Sequence, residues 1–241
     1  MNIMEIPCRR ENFGGVRGSK IKYIVIHYTA GRNDTAENNG RYFAREQVGA
    51  SAHYFVDEHT VVRSVPEDYV AWHCGGAQYF HDACRNSNAI GVEICSKYAD
   101  GVYSFAPAAV ALAQQLVRQL MQKYDIPSEH VIRHWDVTHK VCPAPFVGRG
   151  QAAWEEFKGG LIVYQKIENV PEWARPSIRK CMDRGVLMGD AQGNLNLSAD
   201  LTRTLVILDR LGILPEEKGE ENNGSNDTEC SGPETEPGAA S

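Results

Sequence analysis

The sequence predicts an α/β (α+β) fold in which a mixed central β-sheet is flanked by helices and followed by a small helical hairpin and a disordered acidic tail. Three observations predict it. Short runs rich in β-branched residues alternate with segments of helical periodicity, and some of these runs lie close enough to be hairpins. A Lys158-Gly159-Gly160 break separates them from two further helical patterns, and from Pro215 onward the chain is Glu, Gly, Asn, Ser and Pro, too polar to form a core. The chain therefore divides into a first domain at 1–158, a linker and helical module at 159–214, and a tail at 215–241.

Composition bounds the function. With 241 residues, 42% hydrophobic and 23% charged, the chain is of ordinary soluble globular type. No apolar run approaches the roughly 20 residues needed to span a bilayer, and Met1 to Arg10 lacks the apolar core of a secretory signal. The expectation is synthesis in the cytoplasm and no membrane partner. The net charge is −6, but Pro215 to Ser241 holds eight acids against Lys218, which leaves the remainder near +1. That remainder has no broad basic surface, so nucleic acid is not an expected partner. Seven cysteines, an odd number spread over a chain long enough to have a real core, do not require a disulfide framework, and reduced thiols are expected; Cys74 and Cys84 bracket a short loop and can bridge in an oxidising setting.

Each element follows from its pattern. Lys22 to Tyr28 (K-Y-I-V-I-H-Y) reads as a strand with His27 on the face of Tyr23 and Val25, opposite Ile24 and Ile26. Asp34 or Thr35 caps a helix to about Gln47, with Tyr42 and Phe43 on its buried side. Ser51 to Val65 reads as a hairpin turning near Glu58-His59, and Tyr69 to Asn88, rich in Gly, Asn and Ser, as a long functional loop. Ala89 to Cys95 is a strand that sends Ile90, Val92 and Ile94 one way and Glu93 the other. Phe105 to Tyr124 carries apolar residues at three and four, the pattern of a long amphipathic helix packed on the sheet. Val131 to Trp135 reads as a strand placing Ile132 and His134 on one face, and helices at Pro171 to Arg184 and Ala199 to Leu211 form the hairpin.

The stretch R-H-W-D-V-T-H-K-V-C-P, Arg133 to Pro143, sets an imidazole (His134), an amine (Lys140) and a thiol (Cys142) in one short passage, while His27 ends an upstream strand. Two histidines and a thiolate suit a three-ligand zinc site, and catalytic zinc sites leave the fourth position to water. No Cys-x-x-Cys pair of the closed, structural kind is present.

Five blocks in order, V-I-H-Y-T-A, S-A-H-Y-F-V-D, A-W-H-C-G, R-N-S-N-A-I-G-V-E-I and R-H-W-D-V-T-H-K-V-C-P-A-P-F, resemble the zinc-dependent N-acetylmuramoyl-L-alanine amidases shared by phage endolysins and peptidoglycan recognition proteins. The resemblance covers about Ile21 to Phe146. It implies one zinc per catalytic domain on His27, His134 and Cys142, with Glu93 and Lys140 as catalytic groups. It also implies bacterial peptidoglycan as partner, cleaved between the lactyl group of N-acetylmuramic acid and L-alanine. The chemistry agrees with it: a carboxylate can take a proton from the attacking water, and an ammonium can stabilise an oxyanion. Family members without the glutamate use a tyrosine before the hairpin histidine, where this chain has Ala52.

Blander roles stand beside these. Glu93 can pair with Arg133 or Lys140, Cys142 can be an inert buried thiol, and Asp136 can orient a ligand imidazole. His53 and His73 are expected at the substrate, or as hydrogen-bond partners behind the ligands, and Trp72 as packing. His59, His81, His130 and His139 read as hydrogen-bonded surface residues. Two rival functions are a non-enzymatic recognition protein on the same fold and a cysteine peptidase with Cys142 as nucleophile and His27 or His134 as base. The segment W-A-R-P-S-I-R-K-C-M-D-R-G-V-L-M-G-D with L-T-R-T-L-V-I-L-D-R-L is similar to one S-layer-homology repeat, which implies binding to a cell-wall polymer; self-association through residues 170–214 is the alternative. Action on the cell wall, after export or lysis, is the expected setting.

Overall fold

The computed structural model describes residues 2–214, and its centre is a six-stranded mixed sheet. In chain order the strands and helices are β1 (Ile3–Glu5), β2 (Phe13–Val16), β3 (Tyr23–Tyr28), α1 (Ala36–Arg45), β4 (Tyr54–Val56), β5 (Val61–Arg63), β6 (Tyr69–Ala71), β7 (Ala89–Ile94), β8 (Lys97–Ala99) and β9 (Val102–Ser104). They continue with α2 (Pro107–Tyr124), β10 (Val131–Arg133), α3 (His134–Thr138), α4 (Gln151–Gly159), β11 (Val163–Tyr164), α5 (Arg175–Asp183), β12 (Leu197–Ser198) and α6 (Ala199–Arg210). The sheet order is β1-β5-β4-β7-β3-β10, and every neighbouring pair is parallel except the β4–β5 hairpin. The acidic tail expected at 215–241 lies outside the described residues.

Strand alternation sorts the two faces. Ile24, Ile26, Ile90, Val92 and Ile94 meet Ala109, Ala113, Leu116, Val117 and Leu120 of α2 in the main core, which Phe146, Trp154 and Phe157 complete. Each Val, Ile or Leu side chain among them contributes about 1.5–3 kcal/mol on burial. Tyr23, Val25 and Ile132 line the opposite face with Cys74, Cys84 and Val137, and His27 follows their alternation onto it. That face, free of α2, is where a site can form.

Polar side chains close the loops above it. Thr35 caps α1 by accepting from the Asn38 amide. Asp57 accepts the amides of His59 and Thr60 through Oδ1, which makes the hairpin turn, and that of Ala36 through Oδ2. The fully buried Asn12 donates to the carbonyls of Phe43 and Glu46 and accepts the amides of Val48 and Gly49, ending α1 where no glycine does so.

Several expectations are corrected. Tyr42 is 50% exposed; Phe43 alone of the pair packs inward. The segment from Tyr69 is not loop throughout, since β6 pairs antiparallel with β2, a strand that Gly14 and Gly15 hide from a propensity reading. The Val131 strand ends at Arg133, and His134 begins a helix, so strand alternation does not orient it. The long helix starts at Pro107 with Ala106 as cap, and Pro171 to Ala174 is a turn before α5. Helix α4 was not expected.

Beyond it, Leu161 is still in the main core, and β11 pairs antiparallel with β12. Helices α5 and α6 enclose Val170, Ile178, Cys181, Leu197 and Val206, and Asp209 accepts from Ser177 and Lys180 across the pair. Among the described residues no helix is long and apolar enough to cross a membrane.

Candidate metal centre and its pocket

Three elements deliver His27, His134 and Cys142 to one point. His27 is the penultimate residue of β3. His134 is the first residue of α3, and the turn from strand to helix is locked by Asp136, which accepts the Arg133 amide and its guanidinium Nε and Nη2. Arg133 also donates to the Phe146 carbonyl and Gln151. His139, in left-handed backbone at φ 59°, reverses the chain, and the Trp135 amide donates to the Cys142 carbonyl at 2.7 Å, returning the thiol beside His134.

The donor atoms of the three lie within 4.8 Å of one another, and all three side chains are buried. Cys142 Sγ stands 3.6 Å from His27 Nδ1. Zinc bonds of about 2.3 Å to sulfur and about 2.0 Å to nitrogen in a tetrahedron would set those two ligands about 3.5 Å apart, which this spacing matches. Both ring nitrogens of His134 are enclosed and lack a hydrogen-bond partner, a cost that a metal would relieve. Burial holds His27 well below the ordinary imidazole range, with His134, His73 and Lys140 adding to the effect. Burial and then Lys140 bring His134 down to about 4. Both rings are thus neutral at pH 7 with a lone pair free to ligate. Burial, reinforced by Glu93, pushes the Cys142 thiol up to about 12, so without a cation it keeps its proton. The donor set fits zinc.

A cavity of about 260 Å³ opens onto the triad and includes Glu93, Lys140, His73 and Trp72 in its walls. Larger crevices of about 600 and 510 Å³ run along α2 and contain no comparable donor set. Glu93 is the register partner of His27 on the adjacent strand. Its Oε2 is enclosed and unpartnered, although the residue as a whole is only half-buried. Burial raises its carboxyl to about 8, against the opposing pull of Lys140. Lys140 is exposed at the rim.

The sequence-predicted groups divide here. Glu93, Lys140, His73 and the triad come together. His53 does not reach the cavity: it is fully buried, its Nδ1 accepts the Gly91 amide at 3.0 Å, and its Nε2 faces Tyr69 O and the Arg17 guanidinium. It holds strand to strand, in place of the expected substrate contact. Asp136 is engaged with Arg133, so it orients no ligand imidazole, and Arg133 is thereby unavailable to Glu93. Trp72 lines the cavity and is partly exposed, where packing was expected. Cys74 and Cys84 are both buried free thiols. Sequence reasoning missed Arg17, which gathers the carbonyls of Glu67, Tyr69 and Ser87 behind the site, and Asn86, whose side chain accepts the amides of His73 and Cys74. The second lay inside a quoted motif; the first carried no local signal.

A mixed sheet bearing a buried His-His-Cys cluster on its open face is an arrangement that suits a metal-dependent hydrolase. The chain belongs to the N-acetylmuramoyl-L-alanine amidase family, whose model matches residues 17–145. It is 36% identical over 159 residues to the N-acetylmuramoyl-L-alanine amidase BlyA of Bacillus subtilis, a match covering 61% of this chain and 42% of that one. It is 34% identical over 148 residues to the amidase CwlL of Bacillus licheniformis, covering 55% and 39%. The chain thus spans about two fifths of the length of these relatives. Among solved structures, the catalytic domain of XlyA superposes with a TM-score of 0.57 at 27% identity, covering 67% of this chain and 100% of that one. A mutant endolysin from Bacillus subtilis does so at 0.56 and 28%, covering 67% and 99%.

Proposed function

We propose that this chain is a zinc-dependent N-acetylmuramoyl-L-alanine amidase of endolysin or autolysin type. It hydrolyses the amide between the lactyl group of N-acetylmuramic acid and L-alanine in bacterial peptidoglycan. The observation that carries the reading is the convergence of His27, His134 and Cys142 within 4.8 Å beneath a cavity walled by Glu93 and Lys140. His27, His134 and Cys142 would hold one zinc ion. When bound, zinc supplies Lewis-acid polarisation of a carbonyl and acidifies water.

The protein's own groups do the rest. Glu93, with a carboxyl held near neutrality, accepts a proton from the attacking water and returns it to the alanine nitrogen as the C–N bond breaks. Lys140, charged and at the rim, stabilises the oxyanion. The products are a lactyl carboxylate and a stem peptide with a free amino terminus. A cysteine-peptidase role is disfavoured, because a thiol raised to about 12 beside an imidazole held neutral is the reverse of an activated ion pair. Residues 1–158 form the catalytic domain of this reading. Residues 170–214 act as an S-layer-homology-like module for wall polymer or as a self-association surface; exposed Met188, Leu211 and Ile213 support the second use.

Digestion of defined muropeptides tests it. A new alanine amino terminus, lost on chelation and restored by zinc, is expected. New reducing sugar ends without that amine, or activity indifferent to chelation, would overturn it. Removing residues 170–241 and measuring adsorption to purified walls, with oligomeric state, separates the two uses of the module.

A further inference from the structure

We infer that His73 is the positioning residue that fixes His27 in the one tautomer able to ligate the metal, an inference that rests on the zinc reading above. His27 Nδ1 faces Cys142 Sγ at 3.6 Å, so Nδ1 is the metal-side nitrogen. Its Nε2 faces His73 Nδ1 at 3.0 Å. A neutral imidazole carries one proton: if it sits on Nδ1 the lone pair points away from the thiol and the ring cannot join the triad. A proton on Nε2 needs a buried acceptor, and His73 Nδ1 is the atom within reach.

His73 is itself held to this task. Its amide and that of Cys74 donate to Asn86 Oδ1 at 3.0 and 2.9 Å. Its ring lies over Gly91, where an added Cβ would stand 2.6 Å from His73 Cγ, so the strand carrying Glu93 is cut back to admit it. The two rings meet edge to face, 5.1 Å between centroids at 89°. The remaining nitrogen, His73 Nε2, then carries that ring's one proton; it is enclosed and makes no full hydrogen bond. Neither nitrogen is thus presented to a substrate, which separates this role from the expected one. The arrangement supplies from a histidine what ligating imidazoles ordinarily take from a carboxylate, carbonyl or water.

Zinc affinity of the full chain, measured by competition with a chromophoric chelator, tests the inference. His73→Phe keeps the ring on Gly91 and removes the acceptor; it is expected to weaken zinc binding roughly 10–100-fold. His73→Asn, whose side-chain oxygen can accept near the Nδ1 position, is expected to restore most of that loss. The visible spectrum of the cobalt-substituted protein should change in the first variant and return in the second. A folded His73→Phe protein with wild-type zinc affinity overturns the inference, whereas a wild-type chain that binds no zinc overturns the metal reading instead. Should the variant not fold, imidazole nitrogen spectra of the wild-type zinc protein decide. They are expected to show His27 protonated at Nε2 and His73 bare at Nδ1, and a proton on His73 Nδ1 overturns the inference.

Discussion

Glu93 and His27 are direct register partners on the parallel strands β7 and β3, each one residue from its strand's end. On the other side of Glu93 the partner is buried Phe55 of β4. The carboxyl therefore sits between the buried His27 ring and an apolar one, and burial there raises its proton affinity.

The proton-transfer role proposed for Glu93 rests on that position. Glu93→Gln preserves shape and removes the base, so turnover of a defined muropeptide should fall by roughly two to four orders of magnitude with KM little changed. Zinc content should stay at the wild-type level. A variant with wild-type turnover would remove Glu93 from the mechanism.

Lys140 acts on the same carboxyl through charge. Lys140→Met should lower kcat roughly 10²–10³-fold by loss of oxyanion stabilisation. It should also leave a signature in pH. Lys140 lowers the Glu93 proton affinity, so its removal lets that pKa rise. Because the base works deprotonated, the acid limb of kcat/KM should move to higher pH; a limb that stays in place would show that Lys140 is not electrostatically coupled to Glu93.

How much of this was legible in the sequence depends on the length scale of the cause. The alternation in K-Y-I-V-I-H-Y and A-I-G-V-E-I sets His27 and Glu93 each opposite its own strand's isoleucine row, and the ladder pairing then brings them together on one face. Local patterns carry that information because a strand's two faces are set by its own backbone. His134 was misjudged as a strand residue because the switch to helix depends on Arg133 reaching Asp136, Phe146 and Gln151, contacts up to 18 residues away. The setting of His53 is hidden for a similar reason: nothing in S-A-H-Y-F-V-D reveals that the Gly91 amide and Arg17 close around its ring.

Asn12 illustrates the same distance effect and is testable. Its fully buried side chain makes four hydrogen bonds, one to the Phe43 carbonyl in the last turn of α1 and three to the backbone that follows. Asn12→Ala should destabilise the fold by about 2 kcal/mol, since two carbonyls and two amides at a part-buried chain reversal lose their partner. Denaturant unfolding measures this, and a change below about 1 kcal/mol would mean that those groups find other partners.

His53 gives the fold a calculable response to acid. Burial, followed by the nearby Arg17 charge, lowers its imidazole to about 3, against about 6.5 for an exposed ring. Between those values the unfolded chain binds a proton that the folded chain refuses. The stability His53 contributes is thus complete above about pH 6.5 and is lost as pH falls toward 3, at about 1.4 kcal/mol per pH unit. His53→Asn keeps an acceptor for the Gly91 amide and removes the titration. Measured by urea unfolding, the wild type's advantage over this variant should shrink by about 2 kcal/mol between pH 7 and pH 5. Other buried imidazoles add to the acid sensitivity of both proteins equally, so they cancel in the difference. An advantage that stays constant across that interval would mean that the His53 ring accepts a proton inside the fold, and that the Arg17 side chain withdraws to allow it.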